Sequence, residues 1–276
     1  MRATALNGYL LHSRAYQEKR AIYQFFSYEH GVVHGVGARG MPLFAPIWLM
    51  ANGVNALKSF SQISLGFHPD FGAACDGMDT DDVPVPKMDA AGYHLIKGRV
   101  QYALLYMNEV LYKLLAAENP CPKLWQVYHT KTTKLHALDR LKLDEAAEMQ
   151  AMRLYLRQFE QALFDELGVA MDYQVDGDGV PIDADIVYRF VPLTGFVPDV
   201  AGVADRYGQT VKLSRQRYRG DELLRMANAD GDTQAQLEWM PQLSQLQKEL
   251  MDALLDYKPL NSRTLWQQSI RYMNSQ

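Results

Sequence analysis

Three sets of basic residues are the features of this 276-residue sequence whose types and spacing can do chemistry. The first is Arg14, Lys19, Arg20 and Arg39, interleaved with Tyr16, Tyr23 and Tyr28. Cationic side chains neutralise phosphates and aromatic faces stack on unpaired bases, so this set fits a nucleic-acid strand. It equally fits tyrosines that are core and charges that are solvated, and the residues alone leave both readings open. The second is Lys212, Arg215, Arg217 and Arg219 around Tyr218, the densest basic run in the chain, read as an extension of a DNA path or else an exposed loop. The third is Lys131, Lys134, Arg140 and Lys142, followed by Arg153 and Arg157 at i,i+4 beside Leu154 and Phe159. An apolar groove rimmed by such cations takes an acidic peptide that ends in a hydrophobic residue. A solvated helix face accounts for any one of them singly.

Other motifs fail on context. GVGARG, residues 35–40, matches G-x-G-x-x-G, but a dinucleotide site needs a helix to start there, and Pro42 and Pro46 follow instead. Glycines of a bent barrel strand explain it. Asp176, Asp178, Asp183 and Asp185 resemble a calcium loop, yet Val180, Pro181 and Val187 occupy positions that need ligands or Gly. The seven histidines do not cluster, and no Ser-His-Asp set, nucleophile elbow or paired-carboxylate motif occurs. No cofactor or catalytic residue is expected, and an enzyme would need a dispersed site.

The net charge of -4 excludes a uniformly basic nucleic-acid binder, so any DNA contact must be local. Residues 1–70 meet that condition, with six basic residues against three acidic ones leaving +3. Cys75 and Cys121 stand apart, which fits a reducing, cytoplasmic compartment rather than a disulfide framework. No apolar run is long enough for a membrane span, and the first residues lack a signal-peptide layout.

The elements that must position these residues change character along the chain. Residues 9–13, 21–27, a third run from Val32, 47–50 and 60–67 read as strands, with polar breaks and the turn dipeptide Asn52-Gly53 between them. Five strands in under seventy residues predict a five-stranded OB barrel. Residues 71–90, acidic and rich in Pro and Gly, read as a linker or insertion. From Tyr93 the apolar spacing turns helical, and helices are expected near 101–115, 124–138, 145–167, 221–227, 241–257 and 262–272. A hairpin is expected near 170–200. The fold class is α+β: an OB domain over 1–70, then a mainly helical domain over 91–276 with a small hairpin subdomain.

Several of these stretches together resemble the RecO family of bacterial recombination mediators. YLLHSRAYQEKR followed by GARG resembles the family's amino-terminal domain. QYALLYMNEVLYKLL, LRQFEQALFDELG, YRFVPLTGFVP and KPLNSRTLW resemble later segments in the family's own order. The resemblance covers about residues 6–67 and 93–272. It implies a protein that is not an enzyme. Such a protein binds single- and double-stranded DNA, anneals complementary strands, and recognises the acidic carboxy-terminal tail of single-stranded-DNA-binding protein. With RecR it helps to load RecA. On the motif match Arg157 falls on the family's tail-binding arginine. Two departures stand out. Many relatives carry Lys and Arg directly after the Gly-Ala-Arg, where this chain reads GMPLFAPIW. Some carry a four-cysteine zinc site, where YQVDGDGVPID has no cysteine, so no zinc is expected. The alternative is an OB-fold adaptor for protein partners with little DNA affinity of its own.

Overall fold

A computed structural model describes residues 3–71, 96, 98–141, 143–199, 214–229 and 233–273. The acidic segment expected over 71–90, beyond Phe71, lies outside the described residues, as do Lys142 and Lys212.

Strands β1 (Thr4–Gln17), β2 (Arg20–Ser27), β3 (Gly31–Ala38), β4 (Pro46–Asn52) and β5 (Leu57–Leu65) close into a barrel in the order β1-β2-β3-β5-β4. Only the β3–β5 pairing is parallel. This is the expected five-stranded barrel. Its interior holds Leu6, Leu10, Tyr23, Phe25, Val33, Ile47, Leu49 and Phe60. On β1 the period of two sends Leu6 and Leu10 inward. Asn7, Tyr9 and Leu11 are buried too, so the run has no exposed face. Gly35 faces Phe60, where a Cβ would lie 2.4 Å from the ring. That close approach explains a glycine of GVGARG within a strand.

β1 is longer than expected. It pairs with β4 from Thr4 to Tyr9, and its ladder with β2 runs on to Gln17 opposite Arg20. Residues 12–17 are all exposed, and the register shifts between Leu10 and His12. They form a ribbon with β2 past the point where β4 stops.

Helices α1 (Arg99–Leu114) and α2 (Pro122–Arg140) bind the barrel backbone. The Asn108 amide donates to the Leu10 and Leu11 carbonyls (3.0 and 3.2 Å) and accepts from the Tyr128 hydroxyl (2.7 Å). Trp125 Nε1 donates to the Phe26 carbonyl at 3.1 Å. These bonds satisfy polar groups that would be costly to bury unpaired. Helix α3 (Glu145–Glu166) follows. A three-stranded antiparallel sheet comes next, β6 (Val187–Val191), β7 (Gly195–Pro198) and β8 (Arg217–Arg219), in the order β7-β6-β8. The chain ends with α4 (Gly220–Asn228), α5 (Thr233–Glu238), α6 (Met240–Leu254) and α7 (Asn261–Met273). Of the 212–219 run, Arg217 and Arg219 lie on the edge strand β8, and Arg215 precedes it.

By its contacts the chain forms two compact units, Met1–Phe159 with Pro259–Gln276, and Glu160–Lys258. The division by composition at 71–90 and the division by contact therefore differ. In the first unit α1 receives α7. The buried Glu109 carboxylate accepts the Asn261 and Ser262 N–H groups (2.9 and 2.8 Å) and the Ser262 hydroxyl (2.7 Å). Lys113 adds an ammonium at 3.2 Å. The carboxylate caps α7 from outside its own helix, where the helix dipole favours negative charge.

Candidate nucleic-acid interface

The turn between β1 and β2 and the end of β3 are clasped by backbone bonds. The Arg39 N–H donates to the Lys19 carbonyl and Arg39 Nε to the Arg20 carbonyl, each at 3.2 Å. Arg20 Nη2 reaches the Val36 carbonyl at 3.3 Å. Lys19, Arg20 and Arg39 are thereby brought together at one end of the barrel. Arg14 stands on the same ribbon, opposite Ile22. All four are exposed, and among the described residues none is in an ion pair. Bonds to neutral carbonyls leave their charges available to an anion.

The tyrosines divide. Tyr16 is 53% exposed. Tyr23 is buried in the barrel, with its hydroxyl donating to the Ala38 carbonyl at 2.6 Å. Tyr28 packs edge-on against Trp125 and Phe71. Base stacking by Tyr23 is excluded, because alternation from Phe25 turns it inward. Lys58 also leaves the set. It is buried with its Nζ 2.7 Å from Glu118, so the local charge facing solvent is smaller than the sequence count. The Lys58 ammonium in turn holds the Glu118 carboxyl below its ordinary range.

In the second unit Arg215, Arg217 and Arg219 alternate onto one side of β8 and its approach, while Tyr218 is buried against Phe196. Tyr218 is core, not a stacking platform, and burial pushes its hydroxyl pKa up. Arg217 Nε lies 2.7 Å from Asp199, whose other oxygen takes Arg189 Nε at 2.8 Å. Arg189 was missed by sequence reasoning. It sits on β6 in register with Arg217, a pairing visible only once the two strands are matched. Arg219 pairs with Asp221 at 2.9 Å and holds that carboxyl below its usual range. Arg215 is exposed, and among the described residues it forms no ion pair.

The third set is rearranged. Phe159 is fully buried against Tyr128, and Leu154 is buried as well, so neither lines an open groove. Both point inward because they lie on the core face of α3. Lys131 and Lys134 are buried rather than rimming a surface. Their ammonium groups lie 5.7 and 5.9 Å from the centre of the Tyr155 ring, and Lys131 donates to Gln158 at 2.7 Å. Arg153 is exposed and Arg157 half-buried. Tyr155 and Gln158 were not singled out in the sequence. Their signal is a pair at i,i+3 on α3, matching the i,i+3 spacing of the two lysines on α2.

The acidic run near residue 176 is a self-closed turn. The Asp176 carboxylate accepts the Asp178 and Val180 N–H groups at 3.0 and 2.8 Å. Among the described residues no group of three or more His, Cys, Asp or Glu side chains is placed to hold a metal ion. Among them, too, no helix is long and apolar enough to cross a membrane.

No protein-family model matches the chain. Curated proteins do. DNA repair protein RecO of Pseudomonas putida is 30% identical over 267 residues, covering 94% of this chain and 95% of its own. The RecO proteins of Pseudoalteromonas atlantica and Pseudomonas aeruginosa are 29% and 28% identical, covering 98% and 96% of this chain and 96% and 95% of theirs. The matched length takes in the closed barrel, α1 to α3, the small sheet and the capped α7. With sequence, order of elements and barrel in agreement, this chain belongs to the RecO family of DNA repair proteins.

Proposed function

We propose that the chain serves DNA repair as a non-enzymatic mediator. It binds single- and double-stranded DNA on the barrel ribbon and anneals complementary strands. It also binds the acidic carboxy-terminal tail of single-stranded-DNA-binding protein, and with RecR it assists RecA loading. The observation that carries this reading is the group Arg14, Lys19, Arg20 and Arg39, exposed around a strand edge and, among the described residues, without ion pairs. A backbone of phosphates finds there a compact set of charges, with the exposed Tyr16 ring beside them. Arg215, Arg217 and Arg219 of the second unit, with Lys212, form a weaker contribution, because Arg217 and Arg219 already hold carboxylates. For the tail, Arg153 and Arg157 supply carboxylate donors next to Tyr155. Lys131 and Lys134 raise the local positive potential beside that ring, and Phe159 anchors α3 in the core against Tyr128.

The test is fluorescence anisotropy of a labelled single strand across a salt series. Each of Arg14→Ala, Arg20→Ala and Arg39→Ala is expected to lower the salt slope by about 0.7 for each phosphate contact removed. Equal slopes in all three variants and wild type would sink the barrel assignment. A second reading, a protein adaptor with little DNA affinity, is favoured by the burial of Lys58 and by the apolar stretch after Gly40. Rapid annealing of complementary oligomers by the purified protein excludes it.

A further inference from the structure

The geometry points to a nucleobase pocket at the place where β1 leaves β4, so that a single strand on the barrel ribbon turns one base inward. This inference rests on the DNA reading above and specifies it. A cavity of about 270 Å³ opens between His12 and Ser13 of β1, Leu43, Leu105 and Tyr112 of α1, and Leu265 of α7. That size is close to the lower bound of small-ligand clefts and suits one ring system. Leu11, Leu43, Leu105 and Leu265 give it apolar walls, and the remaining lining is polar or aromatic, including the Asn108 amide. The His12 and Tyr112 rings stack at 4.8 Å and 30°, giving an aromatic edge to the cavity. The register shift between Leu10 and His12 re-aims His12 at this point, as irregularities of a strand commonly do beside a binding site.

Charge selects the occupant. Glu109 lines the cavity, but its oxygens already accept from Asn261, Ser262 twice and Lys113, which fills the roughly four positions a carboxylate offers. Burial and the neighbouring Glu109 both keep the Tyr112 hydroxyl protonated. An incoming ligand therefore meets apolar surface, ring faces and neutral hydroxyls beside a satisfied negative group. A flat uncharged base fits that environment, whereas the carboxylates of an acidic peptide would crowd Glu109. Position agrees with this choice. Arg14 lies two residues from His12 on the same face of β1, about 7 Å along the strand, so a phosphate held by Arg14 lies about one nucleotide from the opening.

The test compares a labelled oligothymidine with the same oligomer carrying abasic sites, on wild type, Tyr112→Leu, Leu265→Trp and Arg14→Ala. Leu265 is 46% exposed, so its replacement fills the cavity without removing a core group. Wild type is expected to bind the abasic strand about tenfold more weakly. Tyr112→Leu and Leu265→Trp are expected to bind the two strands alike, and Arg14→Ala to weaken both while keeping their ratio. Equal binding of both strands by wild type, with Arg14→Ala still weakened, overturns the pocket and leaves the DNA surface standing. Absence of any strand binding at low salt overturns both. Binding of an acidic, aromatic-ended peptide that Leu265→Trp abolishes assigns the cavity to a protein tail and overturns the base reading.

Discussion

His129 is a base held neutral inside a ring cluster. Burial lowers its pKa to about 4, its ring stacks on Trp125 at 5.4 Å and 16°, and its Nδ1 lies 2.7 Å from the Tyr9 hydroxyl. The unfolded chain takes up this proton near 6.5, before the folded chain does. Stability from this group is therefore complete above about pH 6.5 and declines as pH falls from there towards 4. In urea unfolding at pH 7 and pH 5, His129→Phe is expected to lose less stability between the two than wild type; an identical loss refutes the assignment. Lys58 teaches a different lesson about the same charge. Buried against Glu118, it serves the fold. Lys58→Ala is expected to destabilise by about 1–3 kcal/mol and leave DNA affinity unchanged. Arg14→Ala is expected to do the reverse, and anisotropy beside urea unfolding separates them.

Among elements, α7 depends on a residue 152 positions away, the separation of Glu109 from Asn261. Burial opposes the charge of Glu109, but the bonds from Ser262, Asn261 and Lys113 outweigh it and bring its pKa below 4.5. The carboxylate then contributes stability above about pH 4.5 that is lost as pH falls through its lower folded value. Glu109→Gln is expected to cost about 1–3 kcal/mol at neutral pH, with the gap to wild type closing in acid. Thermal unfolding across pH measures this, and a gap constant with pH would contradict it. The motif KPLNSRTLW owes its form to the same contact: besides the cap, Arg263 lies over the Tyr106 ring at 5.4 Å and Trp266 packs on Tyr102 at 5.6 Å.

Most strands and the long helices were legible because one face is buried and the period of two or 3.6 survives in the residue types, while β1 and β3 showed as short apolar runs buried on both faces. What was not legible lacked that pattern. Residues 12–17 are exposed throughout and show no alternation. β8 alternates over only three residues, too short a run to read, and α5 has no buried residue. Of the candidate sites, the barrel cations were legible because turns and strand ends favour exposed charge. The burial of Lys58, Lys131 and Lys134 was not, since their partners come from other elements. Tyr23 was readable by counting two from Phe25, and its stacking role failed on that count.

For the whole molecule, a net charge of -4 coexists with four exposed cations at one barrel end that form no ion pair among the described residues. On the proposed DNA reading, attraction to a strand is local, and repulsion from the acidic remainder of the surface favours one orientation of it. The two compact units also predict two levels of protection in native-state hydrogen exchange. β1 to β5, α1, α2 and α7 are expected to open together, separately from residues 160–258. Exchange of α7 at the rate of α6 rather than α1 would count against this grouping.

The capping of α7 by Glu109 has a consequence for how the chain is made. The two segments of the first unit, one carrying Glu109 and the other its partners Asn261 and Ser262, are separated by residues 160–258, which a ribosome takes roughly 5–20 s to add at ~5–20 residues per second. Throughout that interval the nascent barrel carries α1 with the Glu109 carboxylate lacking its α7 donors and with the Tyr102 and Tyr106 seam uncovered by Trp266 and Arg263. The first unit to emerge is thus the last to be sealed. A product that stops before Pro259 keeps every barrel strand yet exposes that seam, which makes it a substrate for chaperones and proteases rather than a shortened but working protein.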